Sequence, residues 1–178
     1  MIKFKKESNE VLYDNSKLTI LNNKDLNFLS NKAKLNKKKI IRLCVHKSKK
    51  DKIHQMFIIH PKDYFVKPHR HSKDEAMFVL SGLADIIIFG IKGEIKKIIK
   101  MGNLQSGNFF YYKLPKNTFH TLIIKSKNLI FYEITEGPFR KKNMTVPKWF
   151  NKQTQKNTLE FTKNLKNKIK NYRINNEI

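Results

Sequence analysis

Pro68-His69-Arg70-His71-Ser72-Lys73-Asp74-Glu75-Ala76-Met77-Phe78-Val79-Leu80-Ser81-Gly82 is the most informative stretch of this 178-residue chain. It sets two histidines two residues apart, a glutamate shortly after them, and a glycine behind a short apolar run. Residues i and i+2 of an extended strand project from the same side, so His69 and His71 can face one ion. Glu75 adds a hard carboxylate oxygen, and a nitrogen–oxygen donor set of this kind suits Fe, Mn, Ni, Co or Zn. His120, in Leu114-Pro115-Lys116-Asn117-Thr118-Phe119-His120, is placed to supply the third imidazole. The pattern predicts one divalent transition metal (Fe, Mn, Ni or Zn) held by His69, His71, Glu75 and His120.

Outward from this stretch the hydrophobic period is two. Ile41, Leu43 and Val45 alternate with Arg42, Cys44 and His46. Segments 54–60, 75–81, 84–91, 94–101, 108–114, 118–125 and 128–135 are short, rich in β-branched and aromatic residues, and punctuated by Gly82, Gly93, Gly102-Asn103 and Gly107. Strands at this spacing with no helix between them predict an all-β antiparallel double-sheet barrel or sandwich over residues 40–136. An N-terminal extension, 1–39, carries an edge strand or two and a short helix over 23–33, capped by Asn22 or Asn23, with Leu26, Leu29 and Ala33 as its stripe. The barrel is expected to occupy 40–150. A basic tail, 151–178, carries an amphipathic helix over 158–172, with Phe161, Leu165, Ile169 and Tyr172 on one face.

Two signatures in the chain resemble those of the cupin superfamily. The first is His69-x-His71-x-x-x-Glu75-x6-Gly82; the second is Gly107, Pro115 and His120. Asn117 stands where that family usually has glycine, and it is the residue best able to replace one at positive φ. Ile124 replaces a common asparagine without removing a ligand. More narrowly, the chain resembles the WbuC-type cupin metalloproteins over about residues 18–150. That likeness rests on Arg42-Leu-Cys-Val-His46, Gln55-Met56, Tyr64-x-x-x-Pro68-His-Arg-His71, Phe89-Gly90-x-x-Gly93, Glu133-x-x-Glu136-Gly-Pro138-Phe139 and Trp149. It implies a double-stranded β-helix (jelly-roll) barrel and a role beside genes for O-antigen, lipopolysaccharide and other surface polysaccharides. It names no reaction.

Arg42 and His46 share a strand face and are the expected substrate-binding residues; a guanidinium can pair in two-pronged fashion with a carboxylate or phosphate. His54 and His60 frame a strand and are read as surface or turn residues. Arg70 is read as facing away from its two histidine neighbours, in packing or an outer ion pair. Of Tyr111 and Tyr112, at most one faces inward. Glu133 and Glu136 are candidate substrate-orienting acids, although Glu136-Gly-Pro reads first as a turn.

The net charge of +24 is nearly all lysine, accompanied by heavy asparagine and isoleucine use, as in an A/T-rich coding bias on solvated faces. No nucleic-acid motif accompanies it, so no dedicated nucleic-acid partner is expected. No apolar run approaches a membrane span, and the first residues lack a signal-like apolar core. The lone Cys44 fits a reducing cytoplasm. The sequence thus predicts a cytoplasmic, homodimeric metal-binding protein acting on a small anionic substrate such as a nucleotide sugar, by isomerase/epimerase, lyase or dioxygenase chemistry. The alternative is a non-catalytic sugar- or metabolite-binding module with a structural metal.

Overall fold

A computed structural model describes residues 2–138, 140, 143–151, 154 and 156–176; the predicted turn residue Phe139 lies outside the described residues. Among the described residues twelve strands and two α-helices follow one another: β1 (Phe4–Lys6), β2 (Val11–Asp14), α1 (Asn23–Lys34), β3 (Ile41–Cys44), β4 (Ile53–Pro61), β5 (Arg70–His71), β6 (Glu75–Ser81), β7 (Leu83–Phe89), β8 (Ile95–Gly102), β9 (Tyr111–Leu114), β10 (Phe119–Ile124), β11 (Asn128–Glu136), β12 (Met144–Thr145) and α2 (Thr158–Asn176). They form a seven-stranded sheet in the order β1-β2-β3-β4-β11-β6-β9, a three-stranded sheet β10-β7-β8, and the pair β12-β5. The architecture is a jelly-roll β-sandwich, as the sequence predicts. Among the described residues the two main sheets face each other without closing into one hydrogen-bonded ring.

Helix α1 begins where the sequence places it. The Asn22 side chain accepts from the backbone N–H groups of Lys24 and Asp25, and Asp25 accepts in return from the Asn22 N–H. This reciprocal cap satisfies donors that no helical carbonyl can reach. The helix bridges β2 to β3, which run parallel, with Val11 opposite Arg42 and Tyr13 opposite Cys44. The strand pairs within residues 40–136 are antiparallel, as expected; this parallel pair joins the N-terminal extension to them, and parallel neighbours need a crossover, here α1. The large sheet therefore runs without a break from β2 to β3, across residues 39 and 40.

Register explains the layering. On the inner face of the large sheet Cys44, Met56, Ile58, Met77, Val79, Leu129 and Phe131 pack against Ala84, Ile86, Met101, Leu122 and Ile124 of the small sheet. On its outer face Leu12, Ile41, Leu43 and Ile59 are covered by Leu29 and Ala33 of α1. The outer face of the small sheet (Ile87, Phe89, Phe119, Ile123) is covered by Leu165 and Ile169 of α2 with Phe161 and Trp149. The apolar stripe of α2 thus docks on the sandwich, and the Tyr172 hydroxyl donates to the Lys96 carbonyl of β8. Gly93 shows why one motif glycine is needed: its φ is +89°, and a Cβ there would lie 2.9 Å from the Trp149 ring, itself against Phe89.

Candidate metal centre

Strands β5, β6 and β10, with His69 just before β5, bring the four predicted ligands to one place. His69 and His120 exchange backbone hydrogen bonds, His69 N–H to the His120 carbonyl at 3.0 Å and the reverse at 2.8 Å. This fixes the first and second signatures side by side. The Asn117 N–H donates to the His71 carbonyl at 2.7 Å, and Asn117 takes φ +64°, the conformation for which glycine is the usual residue. His69, His71 and His120 then offer one ring nitrogen each, all within 4.8 Å of one another. Glu75, almost fully buried, places Oε2 3.1 Å from His71 Nε2 and Oε1 3.2 Å from His120 Nε2.

The donor set fits a metal ion on the structure's own terms. His69 Nδ1 lies 2.7 Å from the Lys67 carbonyl and His120 Nδ1 lies 3.0 Å from the Thr118 carbonyl. A carbonyl accepts only, so each Nδ1 carries a hydrogen and leaves Nε2 as the nitrogen available to an ion, the arrangement that outer carbonyls impose on metal-ligating imidazoles. Burial pushes the Glu75 carboxyl up, but hydrogen bonds and charge from His120 and His71 overcome it and hold the carboxyl far below the usual range. His69 is lowered to about 4 by burial and by the two neighbouring imidazoles. Burial alone would lower His120, yet the Glu75 carboxylate raises it. Each opposed pair describes a carboxylate ringed by imidazoles, which a divalent cation between them would satisfy at once.

Around the centre the inner face is polar. The Tyr112 hydroxyl donates to Glu75 Oε1 at 3.0 Å, while Tyr111 is exposed, so one of the two faces inward as alternation requires. Glu133, opposite Met56 and Met77, is half-buried; burial and the nearby Glu75 charge raise its pKa. Arg42 lies on this face too, its charge felt by Cys44, His60 and Glu133, and its buried Nε has no hydrogen-bond partner among the described residues. His46 is buried, stacked on His54 at 4.0 Å between ring centroids, with Nδ1 3.1 Å from the Gln55 backbone.

Two histidines sit where the sequence reading does not put them. His54 and His60, expected at the surface or in turns, are both buried on the inner face. His60 lies against Tyr64 at 4.2 Å and Phe131 at 5.3 Å. The available signal was parity, since His54, Met56, Ile58 and His60 share one side of β4. Arg70, by contrast, turns outward and stacks 4.8 Å over the Phe119 ring.

The family model described as "Domain of unknown function (DUF6016)" matches residues 21–101. No curated protein matches the chain. Among solved structures the chain is similar to protein SO0799 from Shewanella oneidensis, at 14% identity and TM-score 0.54 over 71% of this chain and 85% of that one. It is also similar to the DMSP lyase DddQ from Ruegeria pomeroyi (14% identity, TM-score 0.47, 60% of this chain and 51% of that chain). A further likeness is to oxalate decarboxylase from Bacillus subtilis (15%, 0.45, 54% and 24%). The chain spans about half of the lyase and a quarter of the decarboxylase. At 14% identity, what this chain shares with protein SO0799 is the fold.

Proposed function

We propose that His69, His71, Glu75 and His120 hold one divalent transition metal and that the protein is a small metal-dependent enzyme. Its substrate is a sugar or other anionic metabolite, in the setting of surface-polysaccharide biosynthesis that the WbuC-type likeness implies. The observation that carries the reading is the convergence of three imidazole nitrogens within 4.8 Å, two of them with Nδ1 tied to backbone carbonyls. A bound ion would supply Lewis-acid polarisation of a substrate oxygen. The chain's own residues do the rest. Tyr112 fixes the Glu75 carboxylate, Arg42 attracts and orients the anion with His46, and Glu133, its pKa raised by burial and by the Glu75 charge, is positioned to give or take a proton.

Turnover measured with and without a chelator tests this, using nucleotide sugars, sugar phosphates and sugar acids. Chelator-sensitive turnover restored by one metal supports an enzyme; tight binding with no turnover in any case favours the binding-module alternative. We further place the protein in the cytoplasm as a homodimer paired through β9, a free sheet edge flanked by the exposed Phe109, Phe110 and Tyr111. A concentration-independent monomer mass in light scattering contradicts the dimer. Among the described residues no helix is long and apolar enough to cross a membrane.

A further inference from the structure

One row of side chains crosses the outer face of the large sheet from β2 to β9. Leu12, Leu43, Phe57, Tyr132, Phe78 and Tyr111 stand opposite one another in turn on β2, β3, β4, β11, β6 and β9. Helix α1 covers the first part: Leu12 and Leu43 are sealed beneath it, and Phe57 and Ile130 mark its limit. Beyond that limit Tyr132, Ile134, Phe78 and Tyr111 join none of the buried clusters among the described residues. The rings hold one another instead, Phe57 against Tyr132 at 4.8 Å and Phe78 against Phe110 at 5.4 Å between centroids. Tyr111 is 50% exposed and Phe110 41% exposed. The neighbouring row on the same face reads Gln55, Ile134, Ala76 and Lys113. Its two polar members are already paired, Gln55 Oε1 with the Tyr132 hydroxyl at 2.6 Å and Lys113 with Asp74 at 3.2 Å.

We propose that this uncovered half of the outer face is where a second copy of the chain packs, large sheet against large sheet. This rests on the dimer reading above and deepens it: the four residues of β9 alone bury too little, and the face beside them supplies the rest. Charge selects the occupant. The chain carries 38 lysines and arginines, yet β4, β11, β6 and β9 together contain one, Lys113. Two copies at +24 each repel wherever lysine meets lysine, and this face lets them touch without that penalty. A nucleic acid would need cations among the rings, and a sugar polymer would need free polar groups beside them. Area agrees. Four strands about 4.8 Å apart and about six residues long present on the order of 400 Å² per copy in projection. Accessible area exceeds projection, so with the exposed Phe109 and Phe110 at the rim the pair reaches the lower end of stable interfaces, about 1,200 Å².

Sedimentation of full-length protein over a range of concentrations tests this, and the parent is expected to reach dimer mass. Tyr111→Lys sets an ammonium on the face of each copy, so it counts twice across a twofold contact and weakens association on the order of a hundredfold. Ile91→Lys, at a 74% exposed residue between β7 and β8, leaves association at the parent level. A second readout needs no substitution. Acetylation of the Tyr111 hydroxyl, followed by peptide mass, slows severalfold when the parent is concentrated into dimer, while acetylation of the α2 lysines keeps its rate. This readout decides alone if Tyr111→Lys fails to fold by circular dichroism. A dimer in which Tyr111→Lys associates like the parent, or in which Tyr111 is acetylated as fast as in dilute protein, overturns this face and leaves the dimer reading standing. A parent that stays monomeric at every concentration overturns both. Protection of Tyr111 that appears only on adding oligonucleotide or oligosaccharide overturns the second copy as occupant and assigns the face to that ligand.

Discussion

The chemistry of the site depends on hydrogen bonds one layer outside the predicted ligands. Tyr112 is the clearest case, a hydroxyl aimed at Glu75 Oε1. Tyr112→Phe deletes that donor with little loss of packing, and metal affinity is expected to fall about 10- to 100-fold, as outer-shell partners generally show. Competition against a fluorescent chelator reads this directly, and unchanged affinity contradicts the role. His60 carries a pH dependence of defined sign. Its folded pKa of about 3 lies below the ordinary 6.5, so the fold refuses a proton that the unfolded chain accepts. Stability is therefore full above pH 6.5 and is lost as pH falls toward 3, at roughly 1.4 kcal/mol per pH unit at most. Comparing denaturant unfolding at pH 7 and pH 4.5, His60→Phe is expected to shrink the difference by about 2 kcal/mol. An identical pH difference in the variant would show that His60 is not the titrating group. His69 contributes with the same sign in metal-free protein, down to about pH 4.

Single elements place the ligands and close the sandwich. Asn117 at φ +64° shapes the turn that delivers β10 and braces His71 through its backbone N–H. Asn117→Gly should be tolerated, whereas Asn117→Val should cost about 1–2 kcal/mol from the left-handed conformation alone. A thermal melt of both variants checks this, and equal stabilities contradict it. Helix α2 seals the outer face of the small sheet through Leu165 and Ile169. Leu165→Ala should cost about 2–4 kcal/mol while leaving metal content at the parent level, because α2 carries none of the ligands. Metal lost together with stability would instead make α2 part of the site.

At the scale of the whole molecule, legibility followed how each pattern is written in the chain. Local patterns read well: β6 runs over the expected Glu75–Ser81, the Asn22 cap opens α1, and the two signatures meet through the His69–His120 pairing. Two properties were not local. The parallel β2–β3 pairing depends on where α1 carries the chain, and period two says nothing about strand direction. The inward turn of His54 and His60 was hidden because β4 is apolar on both sides, Phe57 and Ile59 facing α1 while Met56 and Ile58 face the small sheet. A strand covered on both faces gives no alternation from which to read orientation. Charge is a whole-molecule property as well: the lysines of α2 lie on its exposed faces, away from the docked stripe.

The central claim is that one ion sits among His69, His71, Glu75 and His120, and elemental analysis of the purified protein tests it most directly. Parent protein should contain one equivalent of a divalent transition metal per chain, and the double variant His71→Ala/His120→Ala, folded by circular dichroism, should contain none. Zinc would favour hydrolytic or structural roles, while iron, nickel or manganese would favour redox or isomerase chemistry. A full equivalent of metal in the double variant, or none in the parent after growth with every candidate ion, would contradict the account.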